Sequence, residues 1–249
     1  MMNFGLNKQS FSLNKRQKII LTSILLTVGL LSTQLVDFNL RFRFIAGLGI
    51  LAYLLSLWAL WEGINQYKAV MLLILPTLFT LAIASSYFLL PIRWLTRLPF
   101  AIFYGLLFYL LLLSQNVFNV ASIRTIPLHR AASTAAFVAT IFTAVVVYDV
   151  IRTLDLNFPW NGLIVFCISF LLISQVLWSI KMEDKLSVEI IAQSFILALI
   201  LGEFAIVFSF WPLFHAVWAI MLGVALYVLL GITTYYLQGR LKPGDVKWY

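Results

Sequence analysis

Residues Pro99–Val150 read PFAIFYGLLFYLLLLSQNVFNVASIRTIPLHRAASTAAFVATIFTAVVVYDV. Two long apolar runs stand on either side of a short polar segment that contains amides, arginines and a histidine. An apolar helix of about 20 residues crosses the hydrocarbon core of a bilayer. The stretch therefore predicts two membrane-spanning helices joined by a short polar connection.

Composition extends this prediction to the whole chain. Of the 249 residues, 63% are hydrophobic and 10% are charged, and the mean hydropathy is +1.00. A soluble domain of this length could not bury so much apolar surface. We predict an all-α, polytopic transmembrane helix bundle with about eight membrane-spanning helices. The predicted spans are residues 18–36, 44–62, 69–91, 99–121, 128–150, 159–180, 187–208 and 212–237.

The basic residues predict how the bundle is oriented. With a cytoplasmic N-terminus, five of the 17 Lys and Arg residues lie outside, and the other 12 (17 − 5) lie inside. The five are Arg41, Arg43, Arg93, Arg97 and Arg152. This asymmetry follows the positive-inside rule, so both termini should be cytoplasmic. The prediction is a single transmembrane domain over residues 18–237, between cytoplasmic tails at 1–17 and 238–249.

The net charge of +8 is dispersed over the membrane boundaries and does not form one stripe. Topology and contact with anionic lipid explain it better than nucleic-acid binding does. We expect the lipid bilayer, including anionic lipid, as the partner, with a membrane-protein partner as a further possibility. The expected location is the cell membrane, with multiple passes.

The polar segment begins with a stripe of amides. Gln115, Asn119 and Ser122 recur at positions i, i+4 and i+7, with Asn116 beside them, so they share one face near the cytoplasmic end of the fourth helix. Carboxamides in a membrane helix seek partners inside the bundle. They could help to hold a ligand, or they could tie two helix ends together.

The stripe leads into a cationic helix start. Arg124 precedes Pro127, whose fixed φ suits the first turn of a helix, and His129 and Arg130 follow. Free backbone N–H groups and two guanidiniums together favour a phosphate or carboxylate. One hypothesis is therefore a site for a lipid headgroup or the phosphate of a lipid-linked substrate. The alternative is that both arginines only set topology and that the histidine is a solvated loop residue.

The segment QNVFNVASIRTIPLHRAA, residues 115–132, together with the spans around it, resembles an uncharacterised family of small multispan bacterial membrane proteins, a domain of unknown function. This resemblance implies a bacterial cytoplasmic membrane, which is the inner membrane. It implies no catalytic residues.

Small residues in the fifth helix bear on helix packing. In the fifth helix, small residues recur at four-residue spacing in two adjacent ladders: Ala132, Ala136, Thr140 and Ala144, and Ala131, Ala135, Ala139 and Thr143. Small residues let membrane helices approach closely, so this helix should lie near the middle of the bundle.

The sequence also shows a faint internal similarity. A shift of 60 residues aligns Ser114 and Gln115 with Ser174 and Gln175, through either an internal repeat or similar composition.

The seventh helix carries a second polar stripe. Glu189, Gln193 and Glu203 fall within an arc of roughly 80°, and such a stripe should face protein or water and not lipid. His215 follows after a short turn and could pair with Glu203. These four residues could form a proton or cation relay. The alternative is a structural hydrogen bond, with Glu203 neutral or paired to His215, Arg93 or Arg97.

Known catalytic motifs are missing from the sequence, including HExxH, a glycine-rich phosphate loop and a serine nucleophile with a base. We therefore predict no catalytic residues, metal or cofactor. The favoured hypothesis is a binding or assembly protein with a cytoplasmic-side site for an anionic lipid or phosphate. The alternatives are a small-solute or proton-coupled transporter that uses Glu203 and His215, and an enzyme that acts on lipid-linked phosphate.

Overall fold

The computed structural model describes residues 14–33, 40–62, 66–90, 94–121, 128–182 and 187–239. In these ranges the chain is all-helical, with short turns between the helices. The helices are α1 (Lys15–Ser32), α2 (Arg41–Leu60), α3 (Gln66–Leu89), α4 (Trp94–Ala121), α5 (His129–Thr153), α6 (Phe158–Lys181), α7 (Val188–Ser209) and α8 (His215–Leu237).

Seven of these described helices, α2 to α8, are long and apolar enough to cross a membrane. The predicted all-helical bundle of membrane-length helices is therefore confirmed. The described part of α1 differs because it begins with the basic residues Lys15, Arg16 and Lys18. Its apolar part, Ile19–Ser32, is about 21 Å long, whereas the hydrocarbon core is about 30 Å thick. The last residues of the predicted first span, 34–36, lie outside the described residues.

Helix α4 begins earlier than the predicted fourth span. It starts at Trp94, and Pro99 lies inside it. Pro99 is the sixth residue of the helix, beyond the first four N–H groups, so it removes one backbone hydrogen bond to the Leu95 carbonyl. Arg97 is accommodated in the helix because its guanidinium lies 5.1 Å from the centre of the Tyr87 ring, and its Nη2 donates to the Leu90 carbonyl at 3.1 Å.

Consecutive helices run antiparallel, so the bundle has two distinct ends. At one end the starts of α1, α3, α5 and α7 meet the ends of α2, α4, α6 and α8. Contacts there include the ion pairs Lys18–Glu62 at 3.1 Å and Lys181–Glu189 at 2.8 Å. We call it the amide end, since Gln115, Asn116, Asn119 and Gln175 lie near it, and we call the opposite end the far end.

Helix α5 lies in the middle of the bundle, as its small residues predict. It packs against α3, α4, α6 and α8. The ladder of Ala132, Ala136, Thr140 and Ala144 is buried. The second ladder is only partly covered: Ala131 and Ala135 are exposed. The two ladders therefore have different environments, and the exposed one borders the groove described below.

The α6–α7 pair is the most extensive helix contact in the described structure. Small buried residues on α7, which are Ser194, Ala198 and Gly202, recur at four-residue spacing on the contact face. A Cβ added at Gly202 would lie 3.1 Å from the carbonyl oxygen of Gly162 on α6. The two backbones touch at these glycines, and this contact fixes how α7 is rotated about its own axis.

Candidate functional site

The amide end contains a fully buried glutamine. Gln115 has no solvent exposure, and among the described residues neither its Oε1 nor its Nε2 has a hydrogen-bond partner. Its neighbour Asn116 is half-buried, with an Oδ1 that likewise has no partner in the described part of the chain. Burying amide atoms without hydrogen-bond partners costs free energy. The amide end is therefore a polar region inside the bundle and not a polar surface.

Asn119 has a structural role at this end. Its Nδ2 donates to the carbonyl oxygens of Leu60 at 3.2 Å and of Glu62 at 3.0 Å. These carbonyls end α2, where they have no partner within the helix. Lys18 pairs with the Glu62 carboxylate at the same place. Burial lowers the pKa of Lys15 nearby, and the charge of Glu62 partly offsets this by raising that pKa. Asn119 thus ties the end of α4 to the end of α2.

The start of α5 carries the described part of the predicted anion site. The His129 ring meets Phe118 edge to face, with centroids 5.8 Å apart, and its Nε2 is buried with no partner among the described residues. Arg130 is exposed. The N-cap residue of α5, Leu128, makes no capping hydrogen bond with its side chain, so within the described residues the first backbone N–H groups of the helix have no N-cap side chain as acceptor. Arg124 lies outside the described residues.

A groove of about 720 Å³ lies between α4 and α5. It is apolar except for Ser114 and Thr134, which lie toward the amide end. Its rim residues Leu110 and Val138 are 56% and 61% exposed, so the groove opens sideways, out of the bundle. The remaining lining residues are Phe79, Phe103, Leu107, Leu111, Ala131, Ala135, Ala136, Ala139 and Phe142.

The four residues of the predicted relay do not come together in the structure. Glu189 and Gln193 contact each other at the amide end, where the Gln193 Nε2 donates to Glu189 at 3.4 Å and Lys181 pairs with Glu189. His215 lies at the far end, and its Nδ1 is 2.7 Å from Oδ1 of Asp149 on α5. The pairing of His215 with Glu203 is therefore wrong in this structure.

Glu203 also departs from its predicted environment. The polar stripe in the sequence predicts that Glu203 faces protein or water, but Glu203 is exposed on the outer surface of α7. The reason is the small-residue contact with α6, which turns the opposite side of α7 toward the bundle. Arg97, another predicted partner, is instead bonded to the end of α3. Arg93 lies outside the described residues.

Sequence reasoning missed two residues of these polar clusters. Gln175 on α6 is 2% exposed, and its Oε1 has no partner within the described chain. The 60-residue shift that pairs it with Gln115 was a signal for it, because both amides are buried at corresponding places. Asp149 gave no such signal, since its contact depends on the packing of α5 against α8.

A smaller pocket of about 280 Å³ lies between α7 and α8 at the amide end, and Gln193, Thr233 and Tyr236 contribute to its lining. Among the described residues, no three His, Cys, Asp or Glu side chains are grouped closely enough to hold a metal ion. Protein-family models, curated proteins and solved structures provide no match to this chain.

Proposed function

We propose that the protein binds an anionic lipid, with one acyl chain in the α4–α5 groove and the headgroup beside the start of α5. The observation that carries the proposal is the groove, which is apolar along its length, open sideways and bounded by a cationic helix start at one end. An anionic lipid is complementary to it, because its apolar acyl chain ends in a negatively charged headgroup. Apolar pockets with a few polar groups at one end are typical small-molecule sites.

The length of the groove supports an acyl chain. Phe103 and Ser114 lie 11 positions apart on α4, or about 16 Å along the helix axis. Ala131 and Phe142 span the same distance on α5. One leaflet is half of the hydrocarbon core, or about 15 Å. The groove therefore has the length of one chain in one leaflet.

The charge at the amide end supports an anionic headgroup. Arg130, Thr134 and Val138 form one row at four-residue spacing, and the last two line the groove. Arg130 thus begins the row at the level where a headgroup would lie. The backbone N–H groups at the start of α5, which the Leu128 side chain does not cap, and the positive end of the helix dipole add to the attraction. Arg124, which precedes this helix in sequence, would add a second guanidinium on the cytoplasmic side.

Native mass spectrometry of the protein released from its membrane in mild detergent tests the proposal. Ala135→Phe should fill the groove and remove the bound lipid mass. Arg130→Ala should weaken retention of an anionic lipid by about 1 kcal/mol, or about fivefold in affinity. The matched control is Ala46→Phe, which makes the same change at an exposed alanine of α2 and should retain the lipid.

Three results would count against the proposal. The first is equal lipid retention by the wild type and Ala135→Phe. The second is no preference for anionic over zwitterionic lipid in exchange experiments. The third is retention of inorganic phosphate without a lipid mass, which would keep the anion site but remove the role of the groove.

A further inference from the structure

Glu203 is a carboxylate on the outer face of an apolar helix. Leu201 and Ala205, two positions to either side, are buried against the bundle. At about 100° per residue, each lies about 160° around the helix from Glu203. Ile196 and Val207 are exposed and lie on the same side as Glu203. The outer face of α7 is thus an apolar surface with one acidic group.

This carboxylate has no partner within the described part of the chain, where it forms neither a hydrogen bond nor an ion pair. Among the described residues, three other acidic groups are paired, Glu62 with Lys18, Asp149 with His215 and Glu189 with Lys181, whereas Asp155 is exposed in the turn after α5. Of the three acidic groups inside described helices, Asp149, Glu189 and Glu203, only Glu203 has no partner in the described part of the chain.

Depth makes the unpartnered position costly. Glu203 lies six positions before the last residue of α7, Ser209, or about 9 Å inside the helix end. The glutamate side chain is shorter than that of lysine or arginine, which can extend to the interface. An acidic group inside a transmembrane segment usually faces protein or water and has a partner.

We propose that the outer face of α7, centred on Glu203, is the docking site for a transmembrane helix of another membrane protein, and that this helix carries a lysine or arginine at the depth of Glu203. Charge complementarity determines the partner's chemistry. A second copy that presented the same face across a two-fold axis would bring two Glu203 carboxylates together, and like charges repel. The apolar residues Ile196, Leu199 and Val207 supply the packing surface around the ion pair.

The test uses synthetic transmembrane peptides as defined probes. One peptide of about 21 leucines carries a single lysine at the depth of Glu203, and the other has leucine there. Binding to the purified protein in liposomes is measured by energy transfer between labels. The lysine peptide should bind wild type at least about tenfold more tightly than the leucine peptide.

Variants assign the effect to one side chain. Glu203→Gln should abolish the preference for the lysine peptide, whereas Glu189→Gln, at an exposed carboxylate in the first turn of the same helix, should preserve it. Glu203→Lys should reverse the preference toward a peptide that carries glutamate.

Two results would overturn the proposal. One is equal binding of the two peptides by wild type, or a preference that Glu203→Gln does not change. The other is self-association of the wild-type protein in liposomes that Glu203→Gln abolishes, because the occupant would then be a second copy.

Discussion

At the scale of single residues, Asn119 joins the ends of two helices. Its amide donates to the carbonyls of Leu60 and Glu62, so replacing it with aspartate removes the donor and places a negative charge against two carbonyl oxygens. We expect Asn119→Asp to lower the free energy of unfolding by about 1–3 kcal/mol. Thermal unfolding of the purified protein in detergent measures the change.

A matched substitution separates this contact from a general effect of added charge. Asn157 is the N-cap residue immediately before α6, is exposed, and makes no capping hydrogen bond with its side chain. Asn157→Asp should leave stability unchanged or raise it slightly, because a negative charge is favourable at a helix start. Equal losses in the two variants would show that the Asn119 contact contributes little.

The position of Asn119 in an amide stripe could be predicted from its spacing, but its partners could not. The same spacing is compatible with a ligand site and with a helix tie, because both need donors on one face. Choosing between them requires knowing that the end of α2 lies beside the end of α4. That proximity is a property of tertiary packing, which spacing along one helix does not contain.

At the scale of elements, the α6–α7 contact depends on two glycines. A Cβ at Gly202 would meet the backbone of Gly162 at 3.1 Å, and a backbone cannot move aside as a flexible side chain can. We expect Gly202→Leu to force α6 and α7 apart and to lower the free energy of unfolding by about 1–3 kcal/mol. The fraction of protein that stays monodisperse in detergent after heating measures this loss.

The control is Gly47→Leu on α2, because a Cβ at Gly47 would have no neighbour within 4 Å. This variant should match or exceed wild-type stability, since glycine is a poor helix former. If Gly202→Leu were as stable as Gly47→Leu, the close approach of α6 and α7 would not determine the rotation of α7.

The rotation of α7 could have been predicted from its small residues. Ser194, Ala198 and Gly202 follow the same four-residue rule that correctly placed α5 in the middle of the bundle. Three polar residues, Glu189, Gln193 and Glu203, suggested a different buried face. The small residues determine the contact because close packing drives the association of membrane helices. A polar stripe only raises the free energy of orientations in which it faces lipid.

At the scale of the whole molecule, helix number and length could largely be predicted from the sequence. Each apolar run must match the thickness of the hydrocarbon core, so the run that forms a helix can be recognised in the sequence by its length and composition. The α4–α5 groove could not be predicted in the same way. It exists because one alanine ladder of α5 packs into the bundle while Ala131 and Ala135 of the adjacent ladder stay exposed beside α4.

We propose above that this groove holds the acyl chain of an anionic lipid. The most direct test is photocrosslinking in liposomes with an anionic lipid that carries a photoreactive group in its acyl chain. We expect labelled peptides to come mainly from residues 103–114 and 131–142, and Ala135→Phe to remove this labelling. Labelling spread over all exposed helices in proportion to their surface, including the α2 face around Ala46, would contradict it.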